Sequence, residues 1–275
     1  MAKLFGFVQF DFAGTLPLAE GRYLSGAPES GEETVLVLQR LGAPGAGRRR
    51  RRGRPTPAEQ EPEPVSLTRA TVIRAAAPLE DLPQAARWLD DTSEDEDEVD
   101  VLVAEATKTL NQALHAHAVA AADPCIRQLS PDHAERVLLG YGSGEETADG
   151  RFADARKVDV GPRNASRRRR REEQLRPQER VAAVLRGREH LDACETLLLR
   201  ARADLDAGRV REAALQLRIG LEALLVELED AVDDPGHEAD LASLRDKPAD
   251  EQRATLEERL KTAERVLRRR RVLRD

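Results

Sequence analysis

The sequence predicts an α+β protein: a small N-terminal antiparallel sheet with helices, followed by a C-terminal all-α helical hairpin or bundle. Three observations carry that prediction. Stretches near the N-terminus alternate in polarity with the period of a strand, whereas later stretches repeat every three or four residues. Aromatic residues make up only 3% of the chain against 35% charged residues, so the core must be built from Leu, Val and Ala, a composition suited to helices packed on helices. Two segments dense in Gly, Pro, Arg and Glu separate the periodic regions.

In chain order, residues 4–12 place Leu4, Val8, Phe10 and Phe12 on one strand face. Phe5, Phe7, Gln9 and Asp11 fall on the other, the period of a strand with one face more buried. Residues 34–41 (TVLVLQRL) and 65–75 (VSLTRATVIRA) read as two further strands. Between them, the insert 42–64 has almost nothing to bury and reads as disordered. A three-stranded sheet needs helical cover. Residues 83–89, with the single tryptophan Trp88, supply a short helix, and residues 93–122 a long one. Ser93 and Glu96 match a capping box, and the acidic run 94–98 suits the positive end of that helix. Pro131 then predicts another short helix reaching about Leu139.

The domain boundaries expected from this pattern are 1–160, an Arg-rich linker over 161–176, and a helical bundle over 177–275. In the last region Val184, Leu191, Cys194, Leu198, Ala201 and Leu205 line one face of a continuous helix from Pro177. After Gly208, Val210, Ala214, Leu217, Leu221, Leu224 and Leu228 line a partner. Leu241, Leu244, Leu256, Leu260, Ala263 and Leu267 are placed to close the bundle.

Residues 140–155, GYGSGEETADGRFADA, raise the question of a phosphate loop. A P-loop requires Lys and a hydroxyl after its last glycine, and here Glu145 and Glu146 follow Gly144; the dinucleotide fingerprint also requires a preceding strand, where a helix is expected. The glycines of GRFADA (150–155) and GRVREA (208–213) read instead as helix ends. Residues 197–225, through Ala201, Gly208, Val210, Ala213, Leu217 and Gly220, resemble one tetratricopeptide hairpin. Asp204 stands where that pattern carries an aromatic residue, and no adjacent 34-residue copy follows, so the resemblance implies one hairpin rather than an array.

Candidate chemistry is sparse. His115 and His117 are two apart on a helix and point to different sides, which does not suit a metal, and no cofactor is expected. Cys125 and Cys194 read as free, buried thiols of a reducing compartment. Arg186 and His190 come within one residue of the spacing in HEPN-type ribonucleases, a resemblance that implies a divergent RNA-cleaving helical protein as one alternative. Of 44 basic residues five are lysine, leaving 39 arginines, with tracts at 48–52, 167–171 and 268–271. Arg167, Arg168, Arg169, Arg170 and Arg171 are the expected nucleic-acid contacts of a second alternative, although no aromatic residues interleave with the tracts for base stacking and the net charge is −7.

No long apolar stretch predicts a membrane span or a signal peptide, and a cytoplasmic location is expected by elimination. The preferred reading is a non-enzymatic interaction or scaffold protein acting through its C-terminal hairpin. Leu215, Ile219, Leu225 and Val226 widen the apolar stripe of residues 210–228 beyond one seam. Leu215, Ile219 and Val226 are therefore the expected contacts with a protein partner or a second copy.

Overall fold

The structure, a computed structural model, describes residues 3–26, 33–42, 66–160, 177–227, 235–245 and 252–274, with side chains left aside at 235–238 and 269–274. The chain divides into two compact units, Met1–Arg163 and Asn164–Asp275.

The first unit is a six-stranded antiparallel sheet with helices, in chain order β1 (Leu4–Ala13), β2 (Gly21–Ser25), β3 (Thr34–Leu41), β4 (Leu67–Leu79), α1 (Leu82–Glu94), α2 (Glu96–Ala121), β5 (Ala134–Ser143), α3 (Gly144–Ala148) and β6 (Asp154–Lys157). Its strand order is β2-β3-β4-β1-β5-β6. Central β1 is therefore flanked on both edges and covered on both faces: Phe7, Val8, Gln9, Phe10, Asp11 and Phe12 are all buried. That corrects the expectation of one dominant face. Val8, Phe10 and Phe12 join Leu89 of α1 and Leu102, Ala106 and Leu110 of α2 in the main core. Phe7 packs on the opposite side with Val37, Ile73 and Ala148.

Two helix boundaries differ from expectation. The long helix does not start at Ser93, whose Oγ donates to Asp90 O within the last turn of α1 (3.0 Å). Asp95 caps α2 instead, accepting from the N–H groups of Asp97 (3.0 Å) and Glu98 (3.2 Å). One carboxylate meets two orphan donors there, and Glu96, Asp97 and Glu98 add charge favourable to the helix start. The second correction is larger. Only Pro131–His133 form a helical turn, of 3-10 type, and residues 134–143 are strand β5. VLL is an apolar run without distinguishing period, and the open edge of β1 decides its conformation, pairing Val137 with Phe10 and Leu139 with Val8. The sheet also gains β2 and β6, which are short and mostly exposed and so leave little pattern in the sequence.

The second unit contains α4 (residues 177–185), α5 (Ala193–Asp206), α6 (Val210–Glu227), α7 (Pro235–Arg245) and α8 (Arg253–Arg274). The helix expected to run unbroken from Pro177 is interrupted. Gly187, at φ +68°, closes α4 with Gly187 N donating to Val184 O (3.0 Å) and Arg188 N to Ala183 O (2.9 Å), so Leu191 falls outside any helix and is exposed. The hairpin core is as the periodicity suggests: Cys194, Leu198, Ala201 and Leu205 of α5 meet Ala214, Leu217, Leu221 and Leu224 of α6. Leu256, Leu260, Ala263 and Leu267 of α8 and Leu244 of α7 complete it. A Cβ at Gly220 would stand 3.2 Å from Leu197 Cβ and Leu198 Cγ, so glycine here lets α5 and α6 approach closely.

Candidate functional site

The glycines of 140–144 are explained by packing. Gly140 and Gly142 lie within β5, and a strand does precede Gly144, contrary to expectation. A Cβ at Gly140 would stand 2.5 Å from Asp154 O and 2.7 Å from Phe7 Cζ; one at Gly142 would stand 2.5 Å from Thr147 Oγ1. Their absence lets the Phe7 and Phe152 rings meet with centroids 5.4 Å apart. Glu145 and Asp149 both pair with Arg22, at 2.8 and 3.1 Å. Gly150 (φ +80°) and Gly208 (φ +79°) each end a helix, as their shared motif implies, but a strand follows the first and a helix the second.

Next to Phe7 on the same sheet face lies a polar row that the sequence does not announce. Arg69 Nε donates to Asp11 Oδ1 (2.9 Å) and Arg136 Nη2 to Asp11 Oδ2 (2.6 Å). Burial pushes the Asp11 carboxyl up, but the hydrogen bonds and charges of the two arginines outweigh it and hold the group below its ordinary value of 3.8. Both acceptor oxygens are thereby occupied, so the cluster reads as a structural ion triad of β1, β4 and β5.

On α6 the three expected contacts stand outside the core: Leu215 is 55% exposed, Ile219 53% and Val226 72%. At 100° per residue they fall within roughly 40° of one another, on the side opposite the buried residues. Arg218 and Glu222, one turn apart at 3.5 Å and largely exposed, flank them. Leu225, expected to widen the same stripe, is half-buried.

The hairpin that presents this stripe is braced at both ends. At the turn, Asp204 accepts from Arg209 Nε (2.8 Å). At the other end Glu227 of α6 accepts from the N–H groups of Ala193 and Cys194 at the start of α5, both 3.1 Å. A carboxylate there satisfies two orphan donors and meets the positive helix end. Burial, a hydrogen bond to Glu227 and that residue's charge push the Cys194 thiol up to about 12, which makes it a poor nucleophile. Between α5 and α8, Arg202 Nε pairs with Glu264 Oε1 at 2.9 Å.

The other candidates are dispersed. Arg186 lies in the turn after α4 and His190 in the loop before α5; both are exposed, and they do not share a helical face. His115 and His117 are half-buried on α2. Cys125 is exposed, correcting the expectation that both thiols are buried. Arg167, Arg168, Arg169, Arg170 and Arg171 lie outside the described residues, as does the 42–64 insert beyond Gly42. Among the described residues no helix is long and apolar enough to cross a membrane. No family model, curated protein or solved structure matches the chain.

Proposed function

We propose that this is a non-enzymatic interaction or scaffold protein whose C-terminal hairpin docks a protein partner through the outer face of α6. The observation that supports it is the stripe Leu215, Ile219 and Val226, more than half exposed and turned away from the core of the same helix. A helix with apolar residues on two opposite sides has one face left to cover after its own unit has folded. Exposed apolar residues occur elsewhere, singly as at Leu24 (86%) or as the pair Val181 (57%) and Leu185 (81%) over one turn of α4, but the α6 stripe extends over three turns.

The test is capture by the full-length protein from its native host, comparing wild type with Ile219→Glu, Val226→Glu and the control Leu24→Glu. A partner held by wild type and by the control, and lost from both α6 variants while their circular dichroism is unchanged, supports the reading. A partner held equally by all four proteins overturns it.

A further inference from the structure

We infer that a cleft on the second face of the N-terminal sheet binds a small aliphatic carboxylate. It lies wholly within the first unit and does not depend on the α6 face. The two faces of this sheet are covered unequally. α1 and α2 supply Leu89, Leu102, Ala106 and Leu110 to one, whereas only the five residues of α3 cover the other, where Phe7, Val37, Ile73 and Ala148 form a small cluster. Beside that cluster β4 bulges. Phe7 of β1 faces Ile73 and Phe5 faces Pro78, so Gly6 alone stands against residues 74–77. The bulge and the small residues Ala75, Gly144 and Ala148 leave a cleft of about 440 Å³.

The lining fixes the class of ligand. Phe5, Val35, Ile73, Ala75 and Ala148 make the walls largely aliphatic, and the volume falls within the roughly 300–1,000 Å³ of small-molecule sites. Of the charged groups on the rim, one is left without a counter-ion. Glu145 accepts from Arg22 at 2.8 Å, and Asp149 shares the same guanidinium at 3.1 Å. Lys3 is exposed and meets no carboxylate among the described residues. A ligand with an aliphatic tail on the sheet and a carboxylate at Lys3 matches both features, whereas an ammonium ligand would find Glu145 already paired. An exposed ammonium adds little, so burial of the tail supplies most of the affinity, and the Kd is about 1 mM.

Titration of the full-length protein with octanoate and with octanol, its uncharged analogue, followed by amide nuclear magnetic resonance, tests the site. Octanoate should shift the amide resonances of Val35, Ile73 and Ala75, and octanol the same set. Lys3→Gln should weaken octanoate about threefold and leave octanol unchanged, because only the carboxylate meets the lost charge. Ala75→Trp should fill the cleft and remove binding of both ligands while the rest of the spectrum stays in place. Where that variant disturbs the sheet, the Lys3→Gln comparison decides, since Lys3 is exposed at the rim. Octanoate that shifts no lining resonance up to about 10 mM, shifts scattered over the surface, or a folded Ala75→Trp that binds as wild type each overturn the site. Octanoate affinity unchanged in Lys3→Gln, or reduced equally with that of octanol, overturns the carboxylate.

Discussion

The two units bury their cores by different means. In the first, β1 is enclosed on both edges and both faces, and its core mixes Phe7, Phe10 and Phe12 with a charged group, Asp11, that is only 3% exposed. In the second, the hairpin and α8 bury an almost wholly aliphatic seam of Leu, Ala and Val, with ion pairs such as Arg202–Glu264 at its margin. The contrast follows from geometry. A central strand turns alternate residues to opposite sides, so full enclosure forces every side chain, polar or not, into the interior. A helix on a bundle surface buries one arc and leaves the rest to water. The first unit must therefore neutralise what it buries, whereas the second can leave residues such as Ile219 outside.

The largest expected effect is the loss of an aromatic from the first core. Phe10→Ala should cost about 3–5 kcal/mol. Trp88 reports on that unit, since its indole lies against Gly6 of β1, while the far-ultraviolet dichroism is dominated by helices. Denaturant unfolding should show the fluorescence transition moving to lower denaturant together with the part of the dichroism that belongs to α1 and α2, while the part from the C-terminal helices stays in place. Movement of both together would mean that the two units unfold as one.

Asp11→Ala comes next. It leaves Arg69 and Arg136 without their shared acceptor, at about 2–4 kcal/mol, below the full cost of breaking a buried pair because Arg136 is half exposed. The same group makes the first unit acid-sensitive. Its carboxyl is held below 3.8 in the folded state, so its contribution is complete above that value and is lost as pH falls from 3.8 toward the lower folded value. Acid titration followed by Trp88 should show this loss in wild type and not in Asp11→Ala.

In the second unit Glu227 closes the start of α5. Glu227→Ala should cost about 1–2 kcal/mol through the uncapped start of α5. A chromogenic disulfide reagent at mildly alkaline pH should modify Cys125 in the native protein and reach Cys194 only on unfolding; in Glu227→Ala the second thiol should react sooner. Equal reactivity of the two native thiols would contradict the hairpin packing.

The smallest effect concerns how helices end. Gly150, Gly187 and Gly208 end α3, α4 and α5 in the left-handed conformation, but α2 ends on Ala122 at φ +52°. Ala122→Gly should stabilise the first unit by about 0.5–1 kcal/mol, read as an upward shift in the Trp88 transition midpoint. Destabilisation would show that the Ala122 methyl group makes a contact that outweighs its backbone strain.

The sequence by itself determined what depends on near neighbours. The apolar steps of three and four from Cys194 to Leu224 mark the hairpin, Gly208 marks its turn, and the short Val- and Leu-rich run at residues 34–41 marks β3 to the residue, because helix faces, turn glycines and β-branched runs are set within a few positions of the chain. Even so, local pattern misplaced the start of α2, where Ser93 and Asp95 offer competing caps two residues apart. It also ran α4 and α5 together, because Gly187 costs a helix only about 1 kcal/mol. The tertiary structure alone decided the rest. Residues 134–143 become a strand because β1 presents a free edge, and Gly140 and Gly142 are required by Phe7, Thr147 and Phe152. The ion triad joins Asp11 to residues 58 and 125 positions away. No window of sequence contains those partners: a strand is stabilised by its neighbours in the sheet and a buried charge by its counter-ions, and both are assembled only when distant segments meet.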